Sequence, residues 1–203
     1  MARGDSALRQ VLLALGLLAL LATGLTACNP RSSGRIRLPS RTRRPPLMED
    51  LTALRQRPLR LPALAAGAPC PINHAHQVTT LYGPGIGDGP GYAAMDGDGI
   101  LTYAPPATFA STEWGGDKVL WYFPPAVRGP VLIRGHQLDG PNELRFDRGA
   151  LPPAELTFTA AGYDPGGWSG QPSYTRVRAA GCYAYQVDGA GFTEIIVFEA
   201  RPA

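Results

Sequence analysis

The chain has 203 residues, which suits one domain with a real core. Its formal charge of +3 hides an asymmetry: residues 31–66 carry nine Arg and a net charge of +7, whereas the residues from Gly67 onward carry a net charge of −5. No aromatic residues interleave with the basic run, which argues against nucleic acid as a partner.

The first segment, residues 1–27, reads as a signal peptide. Arg3 and Arg9 supply a charged start, and Val11–Ala22 is an apolar run of 12 residues. A bilayer crossing needs about 20 residues, so this run has the length of a signal-peptide core. Leu25-Thr26-Ala27-Cys28 follows it. Small residues closing on a Cys just after an apolar core resemble the lipobox of bacterial lipoproteins. That resemblance implies a thioether-linked diacyl group on Cys28, palmitate-like in character, and cleavage just before it. It also implies a protein held outside the cytoplasm on the bacterial cell membrane, because two acyl chains anchor firmly where one does not. An ordinary secretory signal with a chance Cys is the alternative.

With Cys28 acylated, Cys70 and Cys182 remain. In an exported chain this pair is expected to form a disulfide, closing a loop worth about 4–5 kcal/mol in the chain-entropy model. Two buried free thiols are the alternative. Residues 28–62 read as a basic tether rich in Arg, Pro and Ser, too poor in apolar side chains to order itself at Asn29–Pro46. Arg residues beside an acyl anchor also suit an anionic lipid surface. Within the tether, Leu47, Met48, Leu51 and Leu54 fall at helical spacing, which predicts a short helix at 47–57 that ends before Pro58. It would pack on the domain or lie at the membrane surface.

The domain proper is expected at 63–203. Short apolar runs separated by Gly and Pro predict strands at Gln77–Tyr82, Ile100–Tyr103, Lys118–Phe123, Val131–Arg134, Asn142–Phe146, Glu155–Ala160, Tyr174–Arg178, Cys182–Val187 and Thr193–Phe198. The segments 83–91 and 164–169 read as loops. Lys118–Phe123 has bulk on both faces, as an inner strand would. Glu155–Thr159 alternates, with Leu156 and Phe158 facing inward. Asp188-Gly189-Ala190-Gly191 marks the turn of the clearest hairpin, Gly181–Ala200, taken as the closing hairpin of the sandwich. The expected fold is all-β, a single antiparallel β-sandwich, with a small barrel as the competitor.

The residues Val131–Gly135, Gln137–Gly140 and Gly181–Gly189 (GCYAYQVDG), with Phe192 and Ile196–Phe198, resemble the β-sandwich domain of uncharacterised bacterial surface lipoproteins. The resemblance spans Cys70–Ala200 and implies an immunoglobulin-like fold in the cell envelope. It carries no activity with it.

Candidate chemistry is sparse. Asp88, Asp96 and Asp98 offer carboxylates to calcium, but the terminal bidentate acid of a calcium loop is missing, and Asp-Gly turns explain the run without a metal. His74 and His76 make half of a metal site at most. Gly166–Gly170 fails the nucleophile-elbow pattern, because Gln171 stands where the last Gly would be needed and no strand–turn–helix surrounds it. These readings point away from an enzyme and require no cofactor. Trp114 and Trp168, in Gly-rich loops, are the expected ligand contacts, unless they only cap the ends of the sandwich. The expectation is a non-catalytic binding or structural module with an envelope protein or a glycan as partner. The alternative is a calcium- or metal-dependent carbohydrate-binding or adhesion module.

Overall fold

The computed structural model describes residues 50–203. The expected signal peptide, the expected lipobox with Cys28 and the expected tether through residue 49 lie outside the described residues.

A six-residue helix, α1 (Leu51–Gln56), opens the described chain. Asp50 caps it, its carboxylate accepting the Ala53 N–H at 2.8 Å. Pro58 prevents its continuation. Leu54 is fully buried, so α1 is packed on the domain. The chain then crosses one sheet as an extended strap through Asn73. Residues 51–62, expected within the tether, therefore belong to the globular body. Among the described residues no helix is long and apolar enough to cross a membrane.

Eleven strands follow: β1 (His76–Thr79), β2 (Gly83–Gly85), β3 (Tyr92–Ala94), β4 (Ile100–Tyr103), β5 (Gly115–Phe123), β6 (Gly129–Gln137), β7 (Arg145–Phe146), β8 (Leu156–Ala160), β9 (Ser169–Val177), β10 (Gly181–Gly189) and β11 (Phe192–Pro202). They form a β1–β2 ribbon, a five-stranded sheet ordered β4-β11-β10-β6-β8 and a four-stranded sheet ordered β3-β5-β9-β7. The fold is all-β, as expected. One pair departs from the antiparallel rule: β4 runs parallel to β11, making the larger sheet mixed. These two strands are separated by most of the domain in sequence, so no tight turn constrains their direction.

The β10–β11 hairpin is paired from Gly181↔Ala200 to Gly189↔Phe192. Ala190 and Gly191 make its two-residue turn, and positive φ falls on its second residue, Gly191 at 78°, where a glycine carries it without strain. The hairpin is central rather than closing, since β10 also pairs with β6 and β11 with β4.

The two larger sheets pack face to face. Val119, Trp121 and Phe123 of β5 meet Tyr183, Tyr185 and Val187 of β10 and Val131 and Ile133 of β6 in one buried cluster. Tyr185 sits at its middle, 4.9 Å from the Trp121 ring across the sheets and 4.5 Å from Phe198 beside it. Its hydroxyl shares a 2.7 Å hydrogen bond with Thr175, which satisfies a polar group inside the apolar layer. Leu156 is buried on the inward row and Phe158 half-buried beside it, as the alternation predicts, while Thr157 and Thr159 are exposed.

Candidate functional site

The outer face of the five-stranded sheet is covered by the strap. Along β10 the outward residues are Cys182, Ala184, Gln186 and Asp188, alternating with inward Tyr183, Tyr185 and Val187. Three of these outward side chains bind the strap and Ala184 forms part of its apolar floor. Cys182 forms a disulfide with Cys70 with the Cα atoms 5.3 Å apart. Ala184 and Val197 receive Leu61 and Leu64. Gln186 accepts the Arg60 backbone N–H at 2.7 Å and donates to the Pro58 carbonyl at 3.1 Å.

Asp188 is wholly buried between two guanidinium groups, Arg57 of the strap at 3.4 Å and Arg134 of β6 at 2.9 Å. Thr193 and Gln186 also donate to it. Burial works against its charge, but the hydrogen bonds from Thr193, Gln186 and Arg134 and the Arg134 charge outweigh that penalty. The carboxyl is held below its ordinary value.

A second covering segment is the Gly-rich loop 86–91 that follows β2, held from β11 by Glu194. The buried Glu194 carboxylate accepts the Gly89 N–H at 2.7 Å and the Gly91 N–H at 2.8 Å. Gly87 and Gly89 take positive φ, and a Cβ on Gly87 would stand 2.7 Å from the carboxylate, so side chains are excluded there by space and conformation together. Burial raises the Glu194 pKa despite these hydrogen bonds, and the negative charge of Asp88 adds to the rise.

On the outer face of the four-stranded sheet, Tyr92 stacks on the fully buried Tyr122 at 5.5 Å, and Tyr82 packs 5.1 Å from Tyr122. Trp168 joins them 6.1 Å from Tyr122 and 6.3 Å from Tyr82. The Tyr82 hydroxyl donates to Asp164 at 2.6 Å, and the same carboxylate oxygen accepts the Gly170 N–H. Burial pushes the Tyr122 pKa up to about 12. This is a small satellite core beneath the β1–β2 ribbon. Beside it, Ala94, Met95, Asp96, Lys118 and Leu120 line an open cavity of about 240 Å³.

The two tryptophans expected as ligand contacts are far apart. Trp114 immediately precedes β5 and Trp168 immediately precedes β9, and these two strands pair antiparallel along their full length from Gly115↔Val177 to Phe123↔Ser169. Nine paired residues separate them by roughly 30 Å. Trp114 is also only 4% exposed. Its ring lies between the guanidinium groups of Arg178 at 4.2 Å and Arg145 at 5.6 Å. Its carbonyl accepts from Arg176, a fully buried guanidinium that also bonds the carbonyls of Gly115, Asp147 and Gly149 at 3.0 Å each. Trp114 is thus a packing residue, and the expectation of an exposed Trp114 platform is corrected. Trp168 is half-buried.

The candidate metal ligands do not converge on one point. His74 Nδ1 lies 2.8 Å from Asp98, whose other oxygen accepts the Ala75 N–H. That backbone hydrogen bond, and then His74, hold the Asp98 carboxyl below its ordinary value. His76 turns its edge to Tyr92 at 6.1 Å, Asp88 belongs to the Glu194 loop, and Asp96 lines the cavity. Among the described residues no three of His, Cys, Asp or Glu come together in a way that would hold a metal.

Reading the sequence did not single out Asp188, Glu194 or Lys118. Asp188 was legible only as a turn residue, and Glu194 shares the inward row of β11 with Ile196 and Phe198. No family model, no curated protein and no solved structure matches this chain.

Proposed function

We propose that the chain is a lipid-anchored lipoprotein of the bacterial cell envelope, and that its sandwich is a non-catalytic binding or structural module outside the cytoplasm. The observation that carries this reading is the Cys70–Cys182 disulfide, which bridges a sequence separation of 112 residues in a chain whose remaining Cys closes a lipobox. Disulfides persist in oxidising, exported compartments. The strap adds support. The chain that leads back toward Cys28 is joined covalently to β10, the central strand of the larger sheet, so a tethered domain is held at the middle of that sheet.

The test is the mass of the N-terminal peptide from membranes of an expressing bacterium. A diacylated Cys28 peptide and release of Cys28→Ser into the soluble fraction are expected. An intact, unmodified leader on the mature protein overturns the proposal.

A further inference from the structure

The register of β3 on β5 sets Tyr92 opposite Tyr122 and Ala94 opposite Leu120. Carried two residues further, it would set Asp96 opposite Lys118, a favourable cross-strand ion pair. β3 ends at Ala94, however, and the chain bends away through 96–99. The 240 Å³ cavity lies where that pair would have closed, with both charged residues in its lining. Among the described residues neither the Asp96 carboxylate nor the Lys118 ammonium has an ion-pair or side-chain hydrogen-bond partner. Asp96 also acts on a charge of like sign: it adds to the rise of the Asp117 carboxyl, which is due first to burial. A cation brought to Asp96 would relieve that repulsion.

We infer that this cavity takes a small zwitterion, a free amino acid or dipeptide. The ligand ammonium would meet Asp96 and its carboxylate Lys118, with its carbon skeleton on Ala94, Met95 and Leu120. A neutral sugar would leave both charges unanswered, and Tyr92 has one face already taken by Tyr122. The volume suits a ligand below drug size. The inference rests on the reading of the domain as a binding module and names the ligand class of that module.

The test titrates alanyl-alanine into the full chain and follows the amide resonances of residues 94–97 and 118–120. Saturable shifts confined to these amides are expected. N-acetyl-alanyl-alanine and alanyl-alaninamide, each lacking one charge, should bind at least about tenfold more weakly, since a hydrogen bond to a charged group is lost in each case. Asp96→Asn and Lys118→Met should each weaken alanyl-alanine by a similar factor while leaving the melting temperature in place, because both side chains are exposed. Equal binding of the blocked dipeptides, or no shift with alanyl-alanine up to about 10 mM, overturns the inference. Shifts of the same amides with maltose would overturn it in favour of a glycan. Either failure leaves acylation of Cys28 standing, because that is read by mass alone.

Discussion

Two irregular segments are laid over the sandwich, each held by a buried carboxylate, and the two carboxylates titrate in opposite directions. The strap is held by Asp188 through Arg57 and Arg134, and the Asp188 pKa is lowered. The loop 86–91 is held by Glu194 through backbone N–H groups, and the Glu194 pKa is raised. Both acids lose hydration on burial. Only the first recovers it from cations; neutral amide donors beside a second carboxylate, Asp88, do not offset the loss. The strap is therefore an ionically and covalently fastened element, and the loop a more lightly fastened one.

Removing the covalent fastening should produce the largest effect. The double substitution Cys70→Ala with Cys182→Ala is expected to cost about 4–5 kcal/mol in denaturant unfolding, the value for a loop of this length. A loss below about 1 kcal/mol would mean that the strap needs no disulfide to restrain the unfolded chain.

Asp188→Ala should come next, at about 3 kcal/mol, because it leaves Arg134 partly buried without its counter-ion. Its pH dependence sharpens the contrast. A lowered folded pKa means that the unfolded state binds more protons, so the contribution of Asp188 is complete above 3.8 and is lost as pH falls through the folded value. Acid unfolding that is unchanged by the substitution would remove Asp188 from that account.

Leu54→Ala, which empties the buried anchor of α1, is expected to cost about 2–3 kcal/mol and to raise amide exchange along the strap before the core. Uniform exchange would show that the strap and the sandwich open as one unit.

The smallest change is expected from Glu194→Gln. With a raised folded pKa the folded state binds more protons, so the wild-type contribution falls as pH rises from 4.5 through the folded value. The Gln variant should lose that slope while keeping an acceptor for the loop. A slope of the same size in the variant assigns the effect to another group.

Much of the sandwich was legible because its strands carry their own signal. Ile100–Tyr103 matches β4, and Thr193–Phe198 lies within β11, where β-branched and aromatic residues alternate between core and surface. β2 and β3 were missed. Gly83–Gly85 and Tyr92–Ala94 are short and sit among Gly and Pro; β2 is held by pairing with β1, and β3 by pairing with β5 and the adjoining bridge between Ile86 and Ala93, not by a strand preference of their own residues. The site was less legible than the fold. Trp114 sits in a Gly-rich loop that looks exposed in sequence, and only the approach of Arg145, Arg176 and Arg178 from β7, β9 and the turn after β9 encloses it.

The order of residues alone determined an apolar run of 12 residues followed by Leu25-Thr26-Ala27-Cys28, a basic segment, and a set of strands whose periodicity and turn chemistry are local properties. Tertiary structure decided which coil becomes part of the body, which carboxyl pKa is lowered and which raised, and which charged pair is left open at a cavity. Those outcomes depend on groups far apart in sequence being brought to within a few ångströms, where burial and neighbouring charge take effect, and no window of adjacent residues contains that information.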